Sequence, residues 1–252
     1  MVYHSLTDVP RNLKECLDWL IAVKGTSKFN TQALGYALYN FLVDKPVGTT
    51  YVPSVEKVKR LSREFMQKKE FKDLPAVGDL LRRFTERMNK TDFVDIKRFF
   101  ALHESDYENI VKVNGVTPDS IAKDVDKIAD GCEQFLNEIK TPGQYESAYS
   151  SEATWEASCS KRPEDCAAVL VGIAPMLYAG LHSLFTGSNG HHFGTPPPNE
   201  TLLVSKVMKA MGFVESKCRD GLSRSDLRHA FRDMHMDVLD TIYNFAGFWA
   251  FY

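Results

Sequence analysis

The sequence lacks long apolar runs, an excess of one charge, and the glycine and proline content of fibrous chains. Its 252 residues include 15 glycines and 11 prolines, and 31 basic side chains nearly balance 33 acidic ones. This composition excludes collagen-like and wholly disordered chains and argues against a globally basic nucleic-acid-binding protein. The richest apolar stretches, residues 167–178 and 245–252, are shorter than the roughly 18 residues that a membrane-spanning helix needs, so none is expected.

Short motifs of known catalytic mechanism are also missing. There is no P-loop, no glycine-rich dinucleotide fingerprint, no Gly-x-Ser-x-Gly and no His-Glu-x-x-His. His191 and His192 are adjacent, but they lack neighbouring cysteines or carboxylates at metal-ligand spacing. We therefore expect a non-enzymatic protein with no catalytic residue, no metal and no cofactor. An enzyme of unfamiliar type would require a concave pocket with convergent polar groups.

Apolar residues recur at the spacing of amphipathic helices. Leu13, Leu17 and Leu20 form one such stripe, and Thr117 precedes a proline at a strong helix start. Residues 167–185 are apolar nearly all round and are predicted to form the most buried helix. The sequence predicts an all-α fold of about ten helices in two or three loosely coupled subdomains, without a substantial sheet. The predicted helices start near Pro10, Phe29, Pro53, Pro75, Thr91, Pro118, Pro163, Glu200 and Ser225, with a short one around Trp155.

The formal net charge of −2 hides an uneven distribution. Residues 1–100 carry 18 basic and 12 acidic side chains, residues 101–170 carry 6 and 14, and the remainder carries 7 of each. Charge and loop composition together predict three parts. These are a basic N-terminal helical subdomain (1–113), an acidic and apolar central helical subdomain (114–190), and a Gly/Pro loop with a C-terminal helical segment (191–252).

Two joints have the composition of mobile connections. They cover residues 113–118 and 186–199, where glycine and proline cluster. Relative movement at these joints is a hypothesis, and uniform NMR order parameters across both would contradict it. The candidate hinge residues are Asn114, Gly115, Gly187, Gly190 and Gly194.

Basic residues between positions 57 and 90 form the most informative surface feature. Such a face can bind sialylated glycans, sulfated polysaccharide or anionic lipid through its charge. It can equally pack against the acidic face predicted for residues 119–138, or simply be solvated. Aromatic residues for base stacking are sparse, so no nucleic-acid partner is expected. The candidates for binding an anionic partner are Lys57, Lys59, Arg60, Arg63, Arg82, Arg83 and Arg87.

Five cysteines, an odd number, allow at most two internal disulfides. Cys159 and Cys166 bracket a six-residue loop that contains a proline, so they are the best candidate pair. Cys16 and Cys132 both fall in predicted helices, where they either pair across a helix interface or fill the core. Five free thiols would instead indicate a reducing, intracellular compartment.

Residues 5–20 carry a recognisable pattern: Pro10, Leu13-Lys14-Glu15, Leu17-Asp18 and Trp19-Leu20. This Pro-x-x-Leu-Lys-Glu-x-Leu-Asp-aromatic-Leu pattern resembles the start of the mature region in surface and secreted antigens of Babesia parasites. Within that group, it is most similar to the GPI-anchored merozoite surface antigens. The specific match covers about sixteen residues, and the rest of the chain agrees in its helical, cysteine-containing character.

The resemblance implies a merozoite surface antigen of an apicomplexan parasite, and hence a vaccine candidate. Such a protein attaches to an unidentified component of the host erythrocyte surface and is a target of antibodies. It lies on the extracellular side of the parasite and contacts the membrane only through a GPI anchor. We expect the anchor signal and the signal peptide to lie outside this sequence, because residues 1–10 lack the features of a signal peptide. The alternative is an intracellular helical scaffold or adaptor that binds another protein.

Overall fold

Helices make up the architecture, as predicted. The structure, a computed structural model, describes residues 2–70, 72–86, 103–189, 200–214, 218–219, 221–232, 234 and 236–252. Within these ranges there is no strand, and the all-α prediction is confirmed. The helices are α1 (Leu13–Lys24), α2 (Lys28–Leu42), α3 (Pro53–Met66), α4 (Pro75–Thr85), α5 (Ile110–Val113), α6 (Pro118–Ile139), α7 (Trp155–Ser158), α8 (Pro163–Ser188), α9 (Glu200–Ala210), α10 (Arg224–Ala230), α11 (Met236–Phe245) and α12 (Phe248–Phe251), with a 3₁₀ turn at Glu104–Asp106.

Many helices begin at the predicted start signals. Proline is favoured in the first turn because its missing N–H has no partner there in any case. Thr117 caps α6: its hydroxyl accepts the Ser120 N–H at 3.2 Å, and the Ser120 hydroxyl accepts the Thr117 N–H at 3.0 Å. This reciprocal arrangement satisfies two backbone donors at the helix end. The helices that begin with a proline are α3 at Pro53, α4 at Pro75, α6 at Pro118 and α8 at Pro163.

The central helix is α8, as its composition predicted. Twenty of its 26 residues are buried. Its best 18-residue window has a mean hydropathy of 1.7, so by length and composition it does qualify as a membrane-spanning helix, contrary to our expectation. However, 89% of that window is buried inside the fold. A core helix meets these criteria as readily as a membrane span, so the finding is weak evidence for a membrane.

The other long helices pack around α8 and α6. Helices α2 and α3 lie against α8 together with α10 and α11, while α1, α2, α10 and α11 contact α6. One cluster of buried apolar side chains extends from Tyr3 to Tyr252. Contacts between helices therefore cross both predicted subdomain boundaries.

Two predicted segments have different bounds in the structure. Helix α1 begins at Leu13 rather than near Pro10, because the Asn12 side chain caps it by accepting the Glu15 N–H at 3.0 Å. Residues 225–245 form two helices instead of one, since the chain turns after α10. At that turn the Phe231 ring packs 4.7 Å from Phe135. The helix predicted to start near Thr91 lies outside the described residues.

The charged residues of the N-terminal motif make buried contacts. The Lys14 ammonium donates to Asp18 at 2.7 Å and to the Glu146 carbonyl at 2.9 Å. Asp18 also accepts the Tyr145 hydroxyl at 2.6 Å and the Ala148 N–H at 2.8 Å. Because both charges are paired and additionally hydrogen-bonded, their burial is tolerated. This pair joins α1 to the loop between α6 and α7.

The same motif also holds the N-terminal segment. The Trp19 indole N–H donates to the Leu6 carbonyl at 2.7 Å. Glu15 accepts the Tyr3 hydroxyl at 2.8 Å and the Arg11 N–H at 2.7 Å. The polar pattern that carries the resemblance thus fixes residues 3–11 on the body of the protein.

Candidate functional site

Helix α3 separates an apolar face from a strongly basic one. Val55, Val58 and Phe65 are buried, and the Ser62 hydroxyl donates to the Gly172 carbonyl of α8 at 2.6 Å. The opposite side of α3 is exposed to solvent, so its cationic residues can meet an external ligand. We refer to its exposed cations as the α3 basic stripe, which consists of Lys57, Arg60 and Arg63.

The α3 basic stripe has little internal compensation. Within the described residues, neither Lys57 nor Arg63 has an ion pair or a side-chain hydrogen bond. The Arg60 Nε atom lies 3.9 Å from Glu64, and both side chains are well exposed. Such a contact contributes little because water screens it. The stripe therefore presents positive charge that nothing in the described part of the protein neutralises strongly.

Lys59 also belongs to α3 but, unlike the residues of the α3 basic stripe, it is largely buried. Its side chain is only 13% exposed, and its ammonium donates to Glu56 at 2.9 Å and to the Phe251 carbonyl. It also lies 4.4 Å from the centre of the Tyr252 ring, a cation–π distance. Burial raises the pKa of the Tyr252 phenol well above its ordinary value, so the ring stays uncharged beside the lysine. Lys59 thereby links α3 to α12.

The arginines of α4 have separate roles. Arg82 is exposed and pairs with Asp79 in its own helix. Arg83 is 7% exposed and donates to the two carboxylate oxygens of Asp106 at 3.2 and 2.6 Å. The Arg83 guanidinium is therefore committed to an internal partner and is not available to an external anion. Arg87 lies outside the described residues.

A groove of about 410 Å³ lies between α3, α4 and α12. The sequence indicates the C-terminal aromatic residues only as an apolar stretch, because their convergence with α3 depends on contacts between distant parts of the chain. Glu56 and Glu86 are the acidic residues at this groove. We call it the basic groove; its cationic and aromatic walls include Lys59, Arg60, Arg63, Phe84, Phe251 and Tyr252.

The acidic face of α6 has partners other than α3 and α4. Lys24 of α1 lies 2.6 Å from Asp130 and 2.5 Å from Glu133, and the Thr31 hydroxyl of α2 donates to Asp126 at 3.1 Å. These contacts provide local partners for acidic residues of α6. The described basic residues of α3 and α4 do not contribute to them, which favours a surface role for the α3 basic stripe.

The cysteines are distributed as one bridge and three thiols. Cys159 and Cys166 form a disulfide with a Cα–Cα distance of 6.0 Å. The thiols of Cys16, Cys132 and Cys218 are free and buried. Burial raises the pKa of Cys132 to about 12, so this thiol is protonated and unreactive at neutral pH.

We predict that the denatured, unreduced protein exposes three reactive thiols, and that reduction raises this number to five. Reduction should also lower the free energy of unfolding by about 2.5 kcal/mol, because the bridge closes a short loop in the unfolded chain. Thiol titration, intact mass and urea unfolding with and without reductant measure both effects. Five titratable thiols before reduction would contradict the pairing.

The hinge candidates fall in different environments. Asn114 ends α5 through its N–H bond to the Ile110 carbonyl at 3.0 Å, and Gly115 follows with φ +60° in open space. Gly187 is buried and lies in the last turn of α8, which continues to Ser188. It is therefore not part of a loop starting at residue 186. Gly190 and Gly194 lie outside the described residues.

Two further observations bear on function. Among the described residues, no group of three or more His, Cys, Asp or Glu side chains is arranged to hold a metal ion. Searches of known protein families, curated proteins and solved structures find no match to this chain.

Proposed function

We propose that the protein is a non-enzymatic surface antigen of an apicomplexan parasite that mediates attachment to host erythrocytes. It would be displayed on the extracellular side of the merozoite by a GPI anchor, where antibodies reach it. Its partner is an anionic component of the erythrocyte surface. Two features support the proposal: the N-terminal resemblance to Babesia antigens and the α3 basic stripe.

The stripe carries the adhesive part of the proposal. Lys57 and Arg60 are three residues apart, as are Arg60 and Arg63, so neighbouring members lie close together along the surface of α3. Side chains that already had strong acidic partners would gain little from an external anion. The weak compensation of this stripe leaves its charge available to attract an anionic surface, with an effect that salt reduces.

The disulfide supports an exported location. A bridge such as Cys159–Cys166 persists in oxidising, extracellular environments and is rare in the cytosol. An intracellular scaffold would be expected to keep all five cysteines reduced. The thiol titration described above therefore also separates the two proposed locations.

We predict that replacing Lys57, Arg60 and Arg63 together by glutamine lowers binding to intact erythrocytes at least tenfold at physiological salt. Each lost charge removes about 0.5 kcal/mol of attraction, and 1.4 kcal/mol corresponds to a factor of ten. Flow cytometry with labelled protein measures the binding. The protein should unfold at an unchanged urea concentration, since all three side chains are exposed.

The matched control neutralises three other exposed lysines, Lys28, Lys161 and Lys206, which lie outside α3. This control should keep its binding. An equal loss in both variants would indicate a general charge effect and contradict a specific role for α3. Absence of binding by the unmodified protein would contradict the adhesive function itself, while pretreating the cells with trypsin or sialidase would identify the class of receptor.

A further inference from the structure

We propose that the basic groove binds a single oxoanion ester, a sulfate or phosphate group, carried on a sugar-sized ring. This inference deepens the proposed function by naming the ligand chemistry of one site, and it rests on that function for its biological setting. It concerns the groove between α3, α4 and α12, which shares Arg60 and Arg63 with the α3 basic stripe.

Three cationic side chains of α3 converge at the basic groove. Lys59 and Arg63 are four residues apart and Arg60 and Arg63 are three apart, so the three side chains lie near one another on α3. All three line the same groove. Guanidinium groups bind sulfate and phosphate oxygens through pairs of parallel N–H donors, so Arg60 and Arg63 can together surround one tetrahedral anion.

The cations of the basic groove differ in how strongly the protein holds them. Lys59 is fixed by Glu56, the Phe251 carbonyl and the Tyr252 ring. Its charge is already paired with Glu56, so Lys59 holds α12 beside the groove, and Arg60 and Arg63 are the donors that an external anion would meet. Arg63 is exposed and has no hydrogen-bonded or ion-paired partner among the described residues, so its donors can turn toward a ligand.

The volume and the acidic residues of the basic groove limit the size of the ligand. The groove volume of about 410 Å³ is near the lower end of the range for small-molecule sites. Glu56 and Glu86 at the same groove would repel the adjacent charges of a long polyanion. One anionic group therefore fits this charge arrangement better than a continuous row of them.

Aromatic side chains of the basic groove favour a ligand that carries a ring. Phe84 lies against Tyr252 in an edge-to-face arrangement with ring centres 4.8 Å apart. Phe84 is partly exposed and forms an apolar wall beside the cations, whereas Tyr252 and Phe251 are buried behind it. A ring that packs on this wall while its anionic substituent meets Arg60 and Arg63 uses both halves of the groove. Inorganic sulfate or phosphate would use only the cationic half.

Isothermal titration and NMR with small probes test the proposal without cells. The probes are N-acetylglucosamine 6-sulfate, glucose 6-phosphate, uncharged N-acetylglucosamine and inorganic sulfate. We expect each charged sugar to bind at least tenfold more tightly than the uncharged sugar and more tightly than inorganic sulfate. The tighter of the two charged sugars would indicate whether the natural source is a sulfated glycan or a phosphorylated headgroup.

Two single substitutions locate the binding. Arg63→Gln should weaken binding of both charged sugars at least tenfold, whereas the control Lys28→Gln should leave it unchanged. Phe84→Ala should weaken the charged sugars but not inorganic sulfate, since it removes only the apolar wall. Urea unfolding of each variant identifies any loss caused by misfolding, and Arg63→Gln is expected to fold normally because Arg63 is exposed.

The outcomes separate this inference from the adhesive function. Failure of the charged sugars to saturate at tens of millimolar, or equal binding by Arg63→Gln, would overturn the groove proposal even if the protein attaches to erythrocytes. Saturable binding that Arg63→Gln removes would support it even if the protein does not attach to cells, in which case only the adhesive function would fail.

Discussion

Replacing Gly35 with alanine is expected to lower the free energy of unfolding by about 3 kcal/mol, because it forces α2 away from α6. A Cβ atom at this position would lie 2.3 Å from the Ala122 Cα atom and 2.7 Å from its backbone nitrogen. These are main-chain atoms in the second turn of α6, so no side-chain rotation can relieve the contact. The gain of about 1 kcal/mol in helix propensity offsets only part of the cost.

The matched control for this prediction is Gly131→Ala in α6. A Cβ atom at Gly131 would meet only the Met234 Cε atom, at an ordinary contact distance of 3.6 Å. We therefore expect Gly131→Ala to raise the free energy of unfolding by about 0.5 to 1 kcal/mol through helix propensity alone. Urea unfolding followed by circular dichroism measures both variants. Equal stability of the two would show that α2 and α6 do not approach as closely as described.

Features that depend on neighbouring residues of one helix were predictable from the sequence. The proline that begins α3, the Thr117 cap of α6 and the nearly uniform apolar character of α8 all act locally. The break between α10 and α11 was not predictable in this way. It accompanies the packing of Phe231 against Phe135, which is almost one hundred residues earlier in the chain.

In the candidate site, too, local features were predictable from the sequence and long-range contacts were not. Helical spacing predicted that α3 has a basic face, and the structure describes Lys57, Arg60 and Arg63 there. The sequence did not distinguish Lys59, because its partner Phe251 is 192 positions away. It also did not reveal that Arg83 is buried. The sequence identifies the basic residues of α3 and α4 only by their charge. Packing against distant parts of the chain determines which of them are exposed to solvent.

No binding partner is needed to explain the N-terminal motif, because its residues have structural roles of their own. Lys14, Asp18 and Trp19 each bind a segment outside α1, so all three have structural roles in this protein. Their spacing therefore has a physical explanation that does not require a binding partner. The adhesive proposal consequently depends on the surface of α3, and the motif contributes only the resemblance.

Replacing Arg83 with methionine is expected to lower the free energy of unfolding by about 3 to 5 kcal/mol, since it leaves the Asp106 carboxylate buried without its cation. Asp106 is fully buried, and apart from Arg83 it accepts the Tyr243 hydroxyl at 2.7 Å. Burial is the largest single effect and lowers the pKa of Arg83, but the hydrogen bond to Asp106 and the electrostatic effects of Tyr243, Asp106 and Asp79 together outweigh it and keep that pKa above its ordinary value. The guanidinium also lies 5.5 Å from the centre of the Phe248 ring, so its removal disturbs packing as well as charge.

The adjacent Arg82→Met variant is the control, because it removes the same charge from the same helix. Arg82 and its partner Asp79 are 65% and 54% exposed, so this substitution should change the free energy of unfolding by at most about 1 kcal/mol. Replacing Arg83 and Asp106 together by methionine and leucine should recover much of the stability lost in Arg83→Met, since no buried charge is then left unpaired. If Arg82→Met and Arg83→Met unfolded at the same urea concentration, Arg83 would have to be solvated, and the basic surface would be larger than α3 alone provides.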